Sequence, residues 1–140
     1  MISGETTYSG GCQCGAVRYR CDRMPANAHL CHCRMCQKAA GNYFLPLGSV
    51  PAAHFALTRG APSWFASSNL VERGFCSRCG TPLFYRLIGE QAVAVVLGSL
   101  DRPELVKPGW QSDIYARMPW FDELSALVAR EGDETTEEEA

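Results

Sequence analysis

Seven of the eight cysteines in this 140-residue sequence fall into three closely spaced groups. The groups are Cys12-x-Cys14, Cys31-x-Cys33-x-x-Cys36 and Cys76-x-x-Cys79, with Cys21 standing apart. Zinc that stabilises a fold is closed by four protein ligands, whereas zinc that takes part in chemistry keeps three and leaves one position for water or substrate. The two pairs supply four sulfurs and the middle group supplies three. The spacing therefore predicts one closed metal site and one open metal site.

The closed site combines two local arrangements. Side chains two positions apart in an extended chain point to the same side, so Cys12 and Cys14 are expected to reach one metal ion. Cys76 and Cys79 have the spacing of a zinc knuckle, and Gly80 permits the tight exit from its turn. A metal on these four cysteines would close a loop of about sixty residues, and its binding energy would contribute to folding.

The middle group has no obvious fourth protein ligand. His32 lies between two inward-pointing cysteines and is expected to point away, while His29 and His54 stay open as candidate ligands although neither has a ligand spacing. A ligand set made only of sulfur is electron-rich, and this favours capture of an external thiol over hydrolysis. We therefore assign a catalytic as well as a metal-binding role to three residues: Cys31, Cys33 and Cys36.

Basic residues near this group are candidate partners for the carboxylates of a small thiol, although each is equally compatible with ordinary solvated surface. They are Arg34 and Lys38, close in sequence, and Arg59, Arg73 and Arg78, at a distance that the sequence does not fix.

The sequence lacks the features that mark membrane-spanning and secreted proteins. It contains no run of eighteen apolar residues, and its first seven residues lack the basic and then apolar pattern of a signal peptide. We therefore expect a cytoplasmic protein with no membrane partner. In a reducing cytosol, closely spaced cysteines favour metal thiolates over the alternative, a disulfide scaffold.

Charge is distributed unevenly along the chain. The formal net charge is −2, yet residues 131–140 hold six of the fifteen acids and no base, which leaves nine acids against thirteen bases in the rest. We expect residues 1–130 to form one zinc-binding domain and residues 131–140 to be an acidic disordered tail. The basic residues are dispersed, so no nucleic-acid partner is expected.

Short strands separated by Gly and Pro must position the cysteines. Gly15 to Cys21 alternates, with Val17, Tyr19 and Cys21 on an apolar face, so Cys21 is expected to be a buried thiol rather than a ligand. Further strands are predicted at 43–47, 54–58, 70–75, 83–88 and 92–97, the last central in a sheet. A short helix from Arg34 to Ala40 should stop at Gly41, and 119–128 has helical spacing.

The cysteine motifs with their neighbours resemble the glutathione-dependent formaldehyde-activating family, also called the Gfa-like or centromere-protein-V domain. The resemblance rests on 10–19 (GGCQCGAVRY), 31–36 (CHCRMC) with Gly41, 74–83 (GFCSRCGTPL), 98–101 (GSLD) and Pro119-Trp120. It implies a mainly β, Mss4-like fold of twisted antiparallel sheets with short peripheral helices around zinc.

The resemblance also implies the metal sites and an activity. It implies a structural zinc on Cys12, Cys14, Cys76 and Cys79 and a second, labile zinc on Cys31, Cys33 and Cys36. The family reaction joins formaldehyde to glutathione as S-hydroxymethylglutathione and is classed as a carbon-sulfur lyase reaction. The sequence departs from the family at Gln111, where some members carry a histidine, and it is shorter than the name-giving enzymes.

Two functions from different classes follow from these observations. In the first, the protein is a zinc-dependent enzyme that binds a small-molecule thiol such as glutathione at the three-cysteine site. In the second, both sites are structural and the surface recruits a protein partner. An apolar pocket at the three-cysteine site favours the first, and a flat closed site favours the second.

Overall fold

The structure, a computed structural model, describes residues 6–132 and contains ten strands and one α-helix. The strands are β1 (Tyr8–Gly11), β2 (Arg18–Cys21), β3 (Ala26–Cys31), β4 (Leu45–Val50), β5 (Phe55–Arg59), β6 (Ser63–Ala66), β7 (Val71–Phe75), β8 (Pro82–Leu87), β9 (Val93–Val96) and β10 (Trp110–Ser112), and the helix is α1 (Arg34–Ala40). Five short 3-10 helices also occur in this part of the chain. The prediction of a mainly β fold with short peripheral helices is confirmed.

The strands form two sheets. The smaller sheet has the order β1-β2-β5, and the larger has the order β10-β3-β4-β9-β8-β7-β6. All pairings are antiparallel except that of β10 with β3, which is parallel. As predicted, the apolar strand β9 is the central strand of the larger sheet.

The main core forms between the two sheets, and Tyr19 lies at its centre. Its ring packs against Phe55 and Phe84 at centroid separations of 5.8 and 5.1 Å, and its hydroxyl is 2.7 Å from Ser99 Oγ. A Cβ on Gly10 would lie 2.5 Å from that same hydroxyl, so only glycine allows this close approach. The alternation predicted for β2 is confirmed, because Val17, Tyr19 and Cys21 are all buried.

The segment of residues 98–101 ties the core to the smaller sheet. Leu100 bridges Gly10, the backbone N–H of Asp101 donates to Ser9, and the Asp101 carboxylate accepts two hydrogen bonds from the Arg18 guanidinium at 2.9 and 2.6 Å. These contacts give the motif a structural role at the join between β1, β2 and the large sheet.

The predicted helix from Arg34 to Ala40 is confirmed, with Gly41 at its end in the left-handed conformation (φ 61°). The second predicted helix is confirmed only in position. Residues Phe121–Ala126 form a 3-10 helix rather than an α-helix. Of the described residues, none forms a helix long and apolar enough to cross a membrane. The expected acidic tail falls outside the described residues from 133 onward.

Candidate metal centre

The four predicted closed-site cysteines come together from opposite halves of the chain. Their sulfurs all lie within 4.8 Å of one another, with 3.6 Å between Cys12 Sγ and Cys14 Sγ and 3.7 Å between Cys14 Sγ and Cys76 Sγ. A tetrahedron with zinc–sulfur bonds of about 2.3 Å has sulfur–sulfur edges of about 3.8 Å. The donor set and its spacing therefore fit zinc.

Backbone and hydroxyl groups donate to the sulfurs of this cluster. The Val17 N–H lies 3.2 Å from Cys12 Sγ, the Arg78 N–H lies 3.4 Å from Cys76 Sγ, and Thr81 Oγ1 lies 3.1 Å from Cys79 Sγ. Gln13 N–H in turn donates to Thr81 Oγ1. Donors aimed at sulfur favour the thiolate, which is the form that binds metal.

The pKa values of two thiols in this cluster reflect these donors. Hydrogen bonds from the Thr81 hydroxyl and backbone lower the pKa of Cys79 to about 5. Burial opposes ionisation of Cys12, but bonds from the Val17 backbone and the Cys76 thiol bring its pKa below the usual value. Cys76 is buried whereas Cys14 and Cys79 are exposed, so the cluster lies at the protein surface.

The prediction that an extended chain aligns Cys12 and Cys14 is wrong. Residues 13 and 14 form a turn, in which Gly15 N–H donates to Cys12 C=O and Gly15 takes a φ of 82°. The first pair is thus a second turn facing the knuckle of Cys76 and Cys79. Gly15, directly after Cys14, was the available sequence signal for this turn.

The three predicted open-site cysteines also form a cluster, with all sulfurs within 4.8 Å. Cys31 ends β3, Cys33 caps the N-terminus of α1, and Cys36 lies in its first turn. The Cys36 N–H donates to Cys33 Sγ at 3.3 Å. A strand end and a helix start therefore bring three sulfurs to one point, and this set of soft donors also fits zinc.

Two charged side chains contact this cluster. The guanidinium nitrogens of Arg73 on β7 lie 3.5 and 3.6 Å from Cys36 Sγ, and the Cys31 thiol donates to Asp113 Oδ2 at 3.3 Å. Asp113 is exposed and has a φ of 55°, a left-handed conformation that is uncommon outside glycine. The parallel pairing of Ser112 with Cys31 brings Asp113 here, and that pairing has no local sequence signal.

The second cluster is more deeply placed than the first. Cys31 and Cys36 are buried and only Cys33 is half-buried. Burial raises the pKa of Cys31, and burial raises that of Cys36 well above its usual value although Arg73 opposes this. The thiolates of Cys31 and Cys36 are therefore costlier to form than that of Cys79. The four-cysteine cluster also contains one thiol that resists ionisation, because the pKa of Cys14 is raised to about 11 although a backbone hydrogen bond from Ala16 opposes this.

Among residues 6–132, the groups of metal-binding side chains that converge contain no histidine. His29 stacks on Trp110 at 4.5 Å and bonds to Asn27 C=O, and His54 pairs with Asp22 at 2.7 Å. Both remaining candidates for a fourth ligand therefore have other partners in the structure.

His32 is fully buried and its Nε2 lies 2.8 Å from Gln111 Oε1. Gln111, at the position where some members of the resembled family carry a histidine, thus contacts His32 through its side-chain amide. The neighbouring Gln37 donates to the backbone carbonyls of His32 and Ala116 and accepts from Arg34. This polar network, with the Phe121 ring packed edge-on against His32, fixes the loop that carries the three cysteines.

The basic residues named as candidate partners for the carboxylates of a thiol lie near different cysteine clusters. Arg73 contacts the three-cysteine cluster, whereas Arg59 donates to Gly15 C=O and Arg78 lies in the four-cysteine knuckle. Arg34 and Lys38 on α1 line a cleft of about 400 Å³ together with Arg73, Met35, Ala39, Phe65 and Ser67. We call this the cationic cleft.

A second cavity adjoins the cationic cleft and is mostly apolar. It has a volume of about 260 Å³ and is lined by Ala39, Leu45, Phe65, Arg73, Gly74, Phe75, Gly80, Pro82, Phe84 and Val96. We call it the apolar cavity. It shares Ala39, Phe65 and Arg73 with the cationic cleft, so the two spaces meet at the arginine that contacts Cys36.

Comparison with known proteins gives a family match over most of the chain. The family model described as "Glutathione-dependent formaldehyde-activating enzyme" matches residues 7–117. All seven clustered cysteines fall within this match.

Three curated relatives are similar at low identity. A protein of Podospora anserina and one of Phaeosphaeria nodorum, both named "Putative glutathione-dependent formaldehyde-activating enzyme", are 28% and 29% identical over 83% and 64% of this chain. An "Uncharacterized lyase" of Schizosaccharomyces pombe is 27% identical over 56% of it. The chain spans about half the length of these relatives. The matches cover 57% of the Podospora protein, 51% of the Phaeosphaeria protein and 56% of the Schizosaccharomyces protein.

Among solved structures, the fold is similar to the crystal structure of a Rhodobacter sphaeroides protein. The TM-score is 0.55 at 18% sequence identity, and the match covers 73% of this chain and 98% of the other. At this identity the likeness concerns the fold alone.

Proposed function

Since the chain belongs to the glutathione-dependent formaldehyde-activating enzyme family, we propose that it is a zinc-dependent carbon-sulfur lyase that joins a thiol such as glutathione to a small aldehyde. The observation that carries the proposal is the difference between the two cysteine clusters. One has four sulfurs, whereas the other has three and adjoins two cavities through Arg73. Only the second cluster leaves a coordination position for a substrate.

The site residues take the roles that their chemistry suggests. Cys12, Cys14, Cys76 and Cys79 would hold a structural zinc, and Cys31, Cys33 and Cys36 would hold the second. Zinc at the second position supplies a Lewis acid that lowers the pKa of a bound thiol. The half-buried Cys33 marks the side of the cluster from which such a thiol can approach.

Arg73 places positive charge next to that approach. Its guanidinium faces Cys36 Sγ and is held in place by Ser67, whose Oγ accepts from Nε at 2.9 Å, and by the Tyr85 ring 5.0 Å away. A fixed cation here stabilises the negative charge that an additional sulfur brings to the cluster. Asp113 lies on the other side of the cluster, where its Oδ2 accepts a hydrogen bond from the Cys31 thiol.

The cationic cleft supports an anionic thiol as the first substrate. Glutathione carries two carboxylates, and Arg34 and Lys38, which lie one turn apart on α1, both line the cleft. Arginine binds a carboxylate through two parallel hydrogen bonds, whereas lysine acts as a point charge. Together they provide donors for both carboxylates.

Exchange NMR of glutathione with formaldehyde tests the proposal directly. We expect protein with two zinc ions per chain to increase the rate of S-hydroxymethylglutathione formation and breakdown above the uncatalysed rate, and the Cys33→Ser variant not to do so. Equal rates with and without the two-zinc protein, for formaldehyde and for a larger aldehyde alike, would contradict the lyase activity. The alternative, a zinc-stabilised module that recruits a protein, would then be favoured by the exposed apolar side chains of Leu70, Leu87 and Ile88 at one end of β7 and β8.

A further inference from the structure

The apolar cavity is larger than formaldehyde requires. An engineered cavity of about 150 Å³ lined by aliphatic and aromatic side chains binds benzene. The apolar cavity here has about 260 Å³ and walls formed by Leu45, Pro82, Phe84, Val96 and the exposed ring of Phe65. Formaldehyde has only hydrogen atoms on its carbonyl carbon and would leave these walls without a partner.

The cavity lies beside the three-cysteine cluster. Leu45 pairs with Cys31 across β4 and β3, and Leu45 and Val96 pack in one buried cluster with Cys31 and Cys36. Arg73 both lines the cavity and contacts Cys36 Sγ. The cysteines themselves do not line the cavity, so an adduct whose sulfur is held at the cluster would reach the apolar space by extending past Arg73.

The two cavities differ in chemistry on either side of Arg73. The cationic cleft has Arg34 and Lys38 in its lining, whereas Arg73 is the charged side chain in the lining of the apolar cavity. A ligand that matches both has an anionic part, a sulfur in the middle and an apolar group beyond the sulfur. This is the form of an adduct between an anionic thiol and an aldehyde with an apolar substituent.

We infer, resting on the proposed function, that the preferred electrophile is a branched aliphatic or aromatic aldehyde rather than formaldehyde. The thiol sulfur forms a bond to the carbonyl carbon, and the π electron pair of the C=O bond moves to oxygen. That oxygen takes up the proton that leaves the thiol. The product is a hemithioacetal, and nothing is oxidised or reduced.

Calorimetric titration of two stable product mimics tests the inference without depending on turnover. The probes are S-benzylglutathione and S-methylglutathione, which share the anionic part and differ in the apolar group. A single methylene in a hydrophobic pocket changes affinity by about 10-fold or more. We expect the benzyl compound to bind to the two-zinc protein at least about 10-fold more tightly than the methyl compound.

Three variants test whether the apolar cavity is the origin of the preference for the benzyl compound. Ala39→Leu adds volume at an exposed residue in both linings, and Phe65→Ala removes an exposed aromatic wall. Both changes should reduce the benzyl preference to about threefold or less. Ala53→Leu adds the same volume at an exposed alanine before β5, outside both linings, and should retain the preference. Zinc content and melting temperature check that each variant is folded.

Each outcome has a distinct meaning. Binding of free glutathione without a benzyl preference would overturn this inference and leave the proposed function in place. A benzyl preference that survives both Ala39→Leu and Phe65→Ala would overturn the assignment of the cavity. Absence of any binding by free glutathione to the two-zinc protein would overturn the proposed function itself.

Discussion

The guanidinium of Arg73 lies against the sulfur of Cys36, with its two terminal nitrogens 3.5 and 3.6 Å from Sγ. Arg73 is on β7 and Cys36 is in the first turn of α1, so this contact joins the large sheet to the helix. Burial raises the pKa of Cys36 and the arginine opposes this. Arg73 therefore links the three-cysteine cluster to both cavities and lowers the cost of a thiolate there.

Replacement of Arg73 by methionine should weaken thiol binding at the second site. The change keeps most of the apolar stem and removes the charge, and a hydrogen bond to a charged group contributes about 1.5–3 kcal/mol. We expect glutathione affinity to fall about 10-fold or more by calorimetry, with Arg73→Lys intermediate. Arg20→Met, which removes an exposed arginine from β2, is the matched control and should bind as the wild type does.

Replacement of Cys76 by serine should unfold the domain. Cys76 is buried in the main core, and the loss of one thiolate leaves an incomplete ligand set whose binding energy contributes to folding. We expect zinc content to fall and the melting temperature to drop by more than 10 °C. Cys21→Ala, at a buried cysteine outside both clusters, should leave zinc content unchanged. A Cys76→Ser protein with the zinc content and melting temperature of the wild type would contradict the structural role.

Cys21 should make stability depend on alkaline pH. Burial, with a smaller contribution from Asp22, raises the pKa of this thiol from 9.0 to about 12. The thiolate therefore forms more readily in the unfolded chain, so the stability due to Cys21 is complete below pH 9 and is lost between pH 9 and 12. We expect the difference in unfolding free energy between wild type and Cys21→Ala to shrink by up to about 1.4 kcal/mol per pH unit in this window. A difference that stays constant from pH 8 to 11 would contradict the raised pKa.

The acidic segment of residues 131–140 should contribute little to the domain. It has six acids and no large apolar residue, so it offers no surface to bury in the core. We expect its deletion to leave zinc content unchanged and to shift the melting temperature by less than about 2 °C. A larger loss of stability on truncation would show that the segment packs.

Local pattern predicted the elements that follow local rules. The alternation of residues 17–21, the apolar run at β9 and the glycine after Ala40 all led to correct assignments, because each depends on periodicity or on one special backbone conformation. Four strands were missed: β1, β3, β6 and β10. β1 (YSGG) and β3 (ANAHLC) consist mostly of small and polar residues with little apolar alternation. β6 (SWFA) has two adjacent aromatic residues rather than an alternating pattern, and β10 has only three residues.

The sequence was less informative about contacts between distant segments. Cysteine spacing was sufficient to group the seven sulfurs into the two sets that the structure brings together. Asp113 and Gln111 reach the three-cysteine loop only because β10 pairs in parallel with β3, and Arg73 reaches it across the large sheet. Such pairings depend on register over about eighty residues of chain, which no local pattern encodes.

The central claim, that the three-cysteine cluster holds a substrate-binding zinc, is tested most directly by titrating glutathione into wild type and Cys33→Ser with zinc quantified in both. Cys33 is the half-buried member of its cluster and is outside the main core, so the variant should remain folded. We predict two zinc ions per chain and glutathione binding in wild type, weaker at lower pH as protons compete for sulfur, and one zinc ion with no binding in Cys33→Ser. A wild-type protein that holds two zinc ions and does not bind glutathione would contradict the account.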